Sequence, residues 1–322
     1  MAARTAHPGV VIAIGGAEDK LRDRVILERF VQLAGGTKAH IAVLSTASSL
    51  GDEATELYGA LFAREGAVAT TGLRPVTREE AQDLRLAQIV DDASGVFMTG
   101  GNQLRLASVI AGTRVGEAIL DAHRRGAVIA GTSAGASAMS SHMVAFGSSG
   151  ASPKHRMVQL ASGLGIIPGV VIDQHFDQRN RYGRLLAAIA QSPGLLGIGI
   201  DEDTAIVVDD GVLEVIGKGA ATIIDGSHVV TDAFVTKGHR PMMVSGAWLH
   251  SLPSGWRFDL RERSLISPDE DVPKSRAAQA VTLAGERARR LARRIAAEGA
   301  DDQAPARLDR RRARQRRREA SE

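Results

Sequence analysis

Residues 127–139 constrain the fold of this chain more than any other stretch. The apolar residues 127–130 predict a short buried strand. Gly131-Thr132-Ser133-Ala134-Gly135 follows and fits the pattern G-x-S-x-G, and residues 136–139 favour a helix. A serine on a tight turn between a strand and a helix is typical of a nucleophile elbow, in which the hydroxyl projects above a sheet.

The composition of this turn fits that interpretation. Gly131 and Gly135 stand two residues either side of Ser133, where a side chain would crowd the turn or the packing of the helix. The backbone N–H of Ala134, at the helix start, is a candidate donor to a developing oxyanion. Because G-x-S-x-G also arises by chance in a chain with 35 glycines, the catalytic interpretation depends on partners for Ser133.

Strands and helices alternate along most of the chain. Apolar runs predict strands at residues 10–14, 39–44, 67–73, 95–98, 170–172 and 196–200. Helical spacing is found at residues 21–34, 52–65, 78–88, 104–111, 115–125 and 181–191. This order predicts an α/β fold with a mostly parallel sheet and helices on both faces. Short β-rich runs at residues 205–261 predict an antiparallel extension of the sheet, and the polar residues 140–159 predict a loop or lid near the site.

Two glycine pairs follow predicted strands of the same sheet. Gly15-Gly16 and Gly100-Gly101 should therefore lie beside Ser133, because sites in such sheets form at the carboxyl ends of the strands. Gly100 or Gly101 is a candidate for a second oxyanion donor, although a tight turn explains the pair equally well. The first pair lacks the third glycine of G-x-G-x-x-G, which argues against a dinucleotide site.

A serine nucleophile needs a base, and the base needs an acid that orients it. Of nine histidines, His175 is the best candidate because it follows a predicted strand and lies among polar residues; His142 and His155, in the predicted loop, remain alternatives. The acid is expected in the run Asp201-Glu202-Asp203, and spacing does not choose among the three. An acidic turn or helix cap would explain that run as well.

Several motifs occur in an order that resembles a known family. They are Gly15-Gly16-Ala17-Glu18-Asp19-Lys20, Gly100-Gly101-Asn102-Gln103, Gly131-Thr132-Ser133-Ala134-Gly135-Ala136, Asp173-Gln174-His175-Phe176 and Gly199-Ile200-Asp201-Glu202-Asp203-Thr204-Ala205. Across residues 9–260 the chain is similar to the cyanophycinases, which are peptidase E-like serine peptidases and relatives of the class I glutamine amidotransferases.

The resemblance implies a Ser-His-Glu triad with Ser133 as nucleophile, His175 as base and Glu202 as orienting acid. It implies oxyanion donors at Gly101 and Ala134, with Gly100 as the alternative to Gly101. The implied substrate is cyanophycin, a poly-aspartate chain that carries arginine on its side chains, and the implied product is the β-Asp-Arg dipeptide. No metal and no cofactor are implied, and a homodimer is expected.

The residues that follow His175 suit such a substrate. Arg179, Arg181 and Arg184 are candidates to pair with substrate carboxylates, although a solvated helix surface would also explain each arginine. Asp173 is a candidate partner for a substrate guanidinium. Gln103 and Gln174 complete the predicted binding residues as hydrogen-bonding groups.

Two other functions remain open. One is an Asp-X or isoaspartyl dipeptidase of the same family, which would use the same triad. The other is a non-catalytic binding protein on the same fold.

The composition bounds the remaining possibilities. The chain lacks cysteine, which excludes disulfides and thiolate catalysis and is compatible with the expected cytoplasmic location. No signal peptide and no apolar run long enough to span a membrane is recognised.

The charge separates the chain into two predicted parts. Residues 281–322 carry 13 Arg and 7 acidic residues, a net charge of +6, which leaves −3 for residues 1–280. We therefore expect one α/β domain over residues 1–265 and an Arg-rich, helical or disordered tail over residues 266–322. Nucleic-acid binding would depend on the tail alone, and nothing beyond nonspecific contacts is expected.

Overall fold

The structure, a computed structural model, describes residues 7–267. Its strands are β1 Val11–Ile14, β2 His40–Leu44, β3 Ala69–Leu73, β4 Gly95–Met98, β5 Val128–Thr132, β6 His142–Gly147, β7 Val158–Ser162, β8 Val170–Gln174, β9 Leu196–Ile200, β10 Thr204–Asp209, β11 Val212–Gly217, β12 Ala220–Asp225, β13 Val230–Thr231, β14 Val244–Ser245, β15 Trp248–Pro253, β16 Arg257–Asp259 and β17 Ser264–Ile266. Its α-helices are α1 Val25–Leu33, α2 Asp52–Arg64, α3 Leu84–Asp91, α4 Gln103–Ile110, α5 Arg114–Arg124, α6 Ala134–Ala138 and α7 Tyr182–Gln191.

The larger sheet has the strand order β17-β16-β11-β10-β1-β5-β4-β2-β3. Strands β1, β5, β4, β2 and β3 are parallel, while β10, β11, β16 and β17 pair antiparallel along one edge. This arrangement confirms the predicted α/β fold with a mostly parallel sheet and an antiparallel extension. Because β1, β4 and β5 are adjacent and parallel, the loops that follow them share one edge of the sheet.

A second sheet has the order β15-β12-β9-β8. Its strands β8 and β9 run parallel, and β12 and β15 pair antiparallel beyond them. The sequence predicts one sheet here, because hydrophobic patterns identify strands but not their partners. The consequence for the site is that His175 and Glu202 follow strands of the second sheet, whereas Ser133 follows a strand of the first.

The strands of the parallel sheet are almost wholly apolar because both faces are covered. Strands β1, β4 and β5 are buried at every position. On one face, Phe30, Tyr58, Phe62 and Phe97 form an aromatic cluster with ring centroids 4.5–5.9 Å apart. Full burial of each such ring contributes about 1.5–3 kcal/mol to folding, so this cluster fixes α1 and α2 against the sheet.

Two predicted elements differ from the structure. The helix predicted at residues 21–34 begins only at Val25, because the Asp19 carboxylate accepts the N–H groups of Leu21, Arg22 and Asp23 and holds them in a turn. The loop predicted at residues 140–159 contains β6, which pairs with β7 in a hairpin with an irregular register. The polar residues of this segment lie in a partly exposed hairpin, so they do not mark a region without strands.

Within residues 7–267, no helix is long and apolar enough to cross a membrane. The tail predicted over residues 266–322 lies, from residue 268 onwards, outside the described residues. The division of the chain at residue 265 therefore stays a prediction.

Candidate active site

Ser133 occupies a strained turn between β5 and α6. Its backbone has φ 52° and ψ −107°, a left-handed conformation that costs a non-glycine residue about 1–3 kcal/mol. Close packing on both sides enforces the turn, since a Cβ on Gly131 would lie 2.6 Å from the Gly135 carbonyl carbon and one on Gly135 would lie 2.3 Å from Met98 O. The Ser133 N–H also donates to Ile14 O at 2.9 Å. The turn therefore has the geometry of a nucleophile elbow.

Three side chains form a hydrogen-bonded line at this turn. Ser133 Oγ lies 3.0 Å from His175 Nε2, and His175 Nδ1 lies 2.6 Å from Glu202 Oε1. With the proton on Nδ1 donated to Glu202, Nε2 presents a lone pair to the serine hydroxyl. This geometry is the one that general-base activation of a serine requires.

The environment of His175 keeps its ring neutral. Burial lowers the pKa of His175 below its ordinary value, as do the positive charges of Arg179 and Arg181, while the hydrogen bond to Glu202 acts in the opposite direction. A neutral imidazole at neutral pH is the form that accepts a proton.

The structure separates the three candidate acids by their partners. The Asp201 carboxylate accepts the N–H groups of Asp177 and Ala220, each at 3.1 Å. The Asp203 carboxylate accepts the N–H of Asp19 at 2.8 Å and pairs with Lys218 at 2.9 Å. Glu202 is the acid that contacts the His175 ring.

The two loops expected to supply an oxyanion site border Ser133. A Cβ on Gly100 would lie 3.4 Å from Ser133 Cβ, so the glycine pair after β4 faces the nucleophile. Ala134 is the first residue of α6 and fully buried. Within residues 7–267, neither the N–H of Gly101 nor that of Ala134 donates a hydrogen bond to the protein. Both remain candidates for the oxyanion role, as does Gly100.

Asp173, Arg181 and Arg184 form one buried ion cluster. Arg184 Nε donates to Asp173 Oδ2 at 2.7 Å and Arg184 Nη2 donates to Oδ1 at 2.5 Å. Arg181 Nη1 donates to Asp173 Oδ1 at 3.3 Å and also to Gln174 O. Asp173 is only 1% exposed, so the protein's own arginines occupy the carboxylate that was expected to pair with a substrate guanidinium.

Arg181 retains unused hydrogen-bonding capacity. Its Nε is buried and has no hydrogen-bond partner within the described residues. Burial lowers the pKa of Arg181 to about 10, against the opposing charge of Asp173. The guanidinium is therefore still charged at neutral pH.

The remaining predicted binding residues lie around this cluster. Gln174 Oε1 lies 3.3 Å from Ser133 Oγ and is a second neighbour of that atom beside His175. Gln103 Nε2 donates to Val144 O at 2.9 Å and to Ala145 O at 3.2 Å, which ties α4 to the β6 strand. Arg179 is exposed, and its positive charge lowers the pKa of His175.

The alternative histidines lie elsewhere. His142 is exposed at the start of β6, and the His155 ring hydrogen-bonds to Gly238 O at 2.9 Å. Two further contacts at the site are not predicted by the sequence. Gln178 Oε1 accepts the N–H of Glu202 at 2.9 Å, and Glu18 accepts the hydroxyl of Thr132 at 2.6 Å. The position of Glu18 within a strand-end motif was the one available signal for the second.

A serine on an elbow above a mostly parallel sheet, linked to a histidine and a glutamate, defines the class of serine hydrolases that carry their nucleophile on a strand–turn–helix. Within that class the chain belongs to peptidase family S51, whose model matches residues 10–216.

Curated relatives agree with this assignment, and a solved structure shares the fold. The chain is 43% identical over 259 residues to the cyanophycinase of Trichormus variabilis, covering 80% of this chain and 87% of the relative. It is 43% identical over 252 residues to the cyanophycinase of Geminocystis herdmanii, covering 77% and 93%. A crystal structure of a peptidase from an acI-B1 Actinobacterium shares the fold, with a TM-score of 0.56 and 22% identity over 77% of this chain and 99% of that one. The prediction of a cyanophycinase-type serine peptidase is confirmed.

Proposed function

We propose that the protein hydrolyses cyanophycin from a chain end and releases β-Asp-Arg dipeptides through an acyl-enzyme on Ser133. The observation that carries the proposal is the Ser133–His175–Glu202 line, 3.0 and 2.6 Å between successive partners, beside a buried arginine cluster. The similarity to cyanophycinases over 80% of the chain supports the choice of substrate.

In this reaction His175 Nε2 accepts the Ser133 proton while Oγ attacks the carbonyl carbon of the penultimate backbone unit. The oxyanion that forms is stabilised by the N–H groups of Ala134 and Gly101. When the C–N bond breaks, His175 returns the proton to the leaving amine of the dipeptide. A water then loses a proton to His175 and attacks the ester, which frees the shortened polymer and restores Ser133. Glu202 holds the ring and stabilises its charged form.

The arginine cluster fits the free carboxylates at the end of the polymer. Arg181 offers an unpaired N–H, and Arg179 adds an exposed positive charge. Arg184 donates to both Asp173 and Gly147 O. It therefore fixes the wall of the pocket and also adds a positive charge to it. Gln103 and Gln174 supply hydrogen-bonding groups near the scissile bond, and Asp173 holds the two arginines in place.

Mass spectrometry of the products of insoluble cyanophycin tests this function. The wild-type protein should release β-Asp-Arg, and Ser133→Ala should release none while keeping its fold. Ser137→Ala is the matched control, because this buried serine lies on α6 and, among residues 7–267, its hydroxyl donates to Ile172 O and not to a residue of the triad. A Ser133→Ala variant with substantial turnover would remove the serine from the mechanism.

The competing dipeptidase function uses the same triad and differs in the substrate that fills the pocket. Comparison of kcat/KM for cyanophycin, β-Asp-Arg and short Asp-X peptides separates the two. Faster cleavage of the short peptides would favour the dipeptidase.

We further propose a homodimer, which the family resemblance implies. The chain exposes large apolar side chains that a second copy would cover, with Phe146, Phe234 and Val235 being 58%, 87% and 75% exposed. Light scattering of the wild type and of Phe234→Asp tests this assembly, and a monomeric wild type would exclude it.

A further inference from the structure

The loop between β1 and α1 contacts every segment of the triad. Gly15 O accepts the N–H of His175 at 2.8 Å, and Gly16 O accepts the N–H of Asp203, next to Glu202, at 2.9 Å. The third contact is made by a side chain, since Glu18 Oε2 accepts the hydroxyl of Thr132 at 2.6 Å. Thr132 immediately precedes the nucleophile.

Glu18 is a buried carboxylate that the proposed mechanism does not use. It is only 3% exposed. Its other oxygen accepts the Tyr58 hydroxyl at 2.5 Å and pairs with Lys20 Nζ at 2.8 Å. Burial and the adjacent Glu18 charge raise the pKa of Tyr58, so this hydroxyl stays protonated and donates.

A buried carboxylate is costly unless every oxygen is paired. Here the pairing is complete and reaches from the aromatic cluster, through Tyr58, to the last residue of β5. The contacts hold this loop against the strand that carries the nucleophile. The contacts of Glu18 therefore affect the position of the nucleophile as well as the packing of the core.

The hydrogen bond between Glu18 and Thr132 lies next to the strained backbone of Ser133. A residue at φ 52° relaxes if its neighbours are free to move. Its N–H is held by Ile14 O and the helix behind it packs against Met98. Thr132, on the strand side, is fixed through its side chain by Glu18. We propose that Glu18 is a positioning residue that holds the elbow, through Thr132, in the geometry that aligns Ser133 Oγ with His175.

This inference rests on the proposed function only for its turnover readout. Glu18 acts through Thr132 and has no role in binding the polymer. Loss of the contact should therefore lower kcat and leave KM within about twofold, because misplacing a reacting group by a fraction of an ångström to 1 Å costs up to about 100-fold in rate.

The decisive pair of variants is Thr132→Val and Thr132→Ser. Valine has the shape of threonine without the hydroxyl, and serine keeps the hydroxyl. We expect Thr132→Val to lose about tenfold or more in kcat and Thr132→Ser to retain most of the rate. Thr113→Val is the control, because this buried threonine also donates through its hydroxyl, to Ile110 O at 2.7 Å, at the start of α5.

A second readout does not depend on the substrate. The rate at which a fluorophosphonate labels Ser133 should fall in Thr132→Val and Glu18→Gln by about the same factor as kcat, and remain near wild type in Thr113→Val. Wild-type labelling in Thr132→Val, or equal slowing in Thr113→Val, overturns the proposal. If Glu18→Gln fails to fold, the Thr132 pair still decides.

The two readouts separate this proposal from the proposed function. A wild-type protein that takes the label but does not cleave cyanophycin removes the substrate assignment, and labelling rates then still test Glu18. A wild-type protein that neither cleaves the polymer nor takes the label overturns both.

Discussion

Asp173 holds Arg184 with both of its carboxylate oxygens, at 2.7 and 2.5 Å, and both side chains are at least 94% buried. Arg181 shares the same carboxylate from the preceding turn. Two guanidinium groups around one carboxylate leave an excess of positive charge at the pocket. Asp173 fixes both cations, and we expect the excess positive charge of the cluster to favour an anionic ligand.

Substitution Asp173→Asn should cost both stability and affinity. Two buried arginines would lose their counterion, and removal of one partner from a buried ion pair costs about 3–5 kcal/mol. Urea unfolding should show this loss, and KM for cyanophycin should rise as the arginines move. Asp210→Asn is the control, because the Asp210–Arg261 pair is exposed and should shift the urea midpoint little. An Asp173→Asn variant as stable as the wild type would contradict this account.

Substitution Arg181→Lys should weaken substrate binding while keeping the charge. The Arg181 guanidinium donates to Asp173 and to Gln174 O through Nη1 and has a further N–H group at Nε. The single ammonium group of lysine cannot reproduce this planar arrangement of donors. Loss of a charge-assisted hydrogen bond of about 1.5–3 kcal/mol corresponds to a rise in KM of about 10- to 100-fold. Steady-state kinetics on cyanophycin measure it, with Arg64→Lys on the exposed end of α2 as control. An unchanged KM would remove Arg181 from the binding site.

The pH dependence should report the lowered pKa of His175. The base must be neutral to act, so kcat/KM should rise with pH through the His175 pKa, and the midpoint should lie below the ordinary value of about 6.5. Glu202 raises this pKa, so Glu202→Gln should move the midpoint further down and lower kcat by about 10³- to 10⁴-fold. NMR titration of the ring follows the same change independently of activity.

Asp203→Asn provides the control for that experiment. Its carboxylate contacts Lys218 and the N–H of Asp19, not the His175 ring. The acid midpoint should therefore stay where the wild type has it. A midpoint that rises in Glu202→Gln would show that the acid does not stabilise the charged ring.

The parts of the site that sequence could predict are those coded locally. The elbow needs only a strand, a glycine-flanked serine and a helix, and all three are contiguous around Ser133. Arg181 and Arg184 are three residues apart near the start of α7, and the structure brings both onto Asp173.

The parts that sequence could not predict depend on distant contacts. The Asp201 carboxylate accepts the N–H of Ala220, and the Asp203 carboxylate pairs with Lys218. Both partners come from later in the chain, and their contacts leave Glu202 as the acid that meets the His175 ring. The second sheet and the β6–β7 hairpin depend on which strands pair, and single-strand patterns do not encode pairing. The buried position of Asp173 likewise follows from packing.

Substitution Gly16→Ala should strongly lower activity while the fold survives. Gly16 has φ +101°, and an added Cβ would lie 2.4 Å from His175 Cε1 and 2.6 Å from Nε2, the atom that accepts the serine proton. The ring would have to turn away from Ser133, so kcat should fall by about 100-fold or more. Gly66→Ala is a close control, because Gly66 has φ +99° and its nearest neighbour would be 4.0 Å from the new Cβ. Both substitutions place a side chain at a positive φ that disfavours it, so thermal unfolding should occur at a lower temperature in each variant. Since only Gly16→Ala collides with the base, equal activity in the two variants would mean that the 3.0 Å contact between Ser133 and His175 is not needed for turnover.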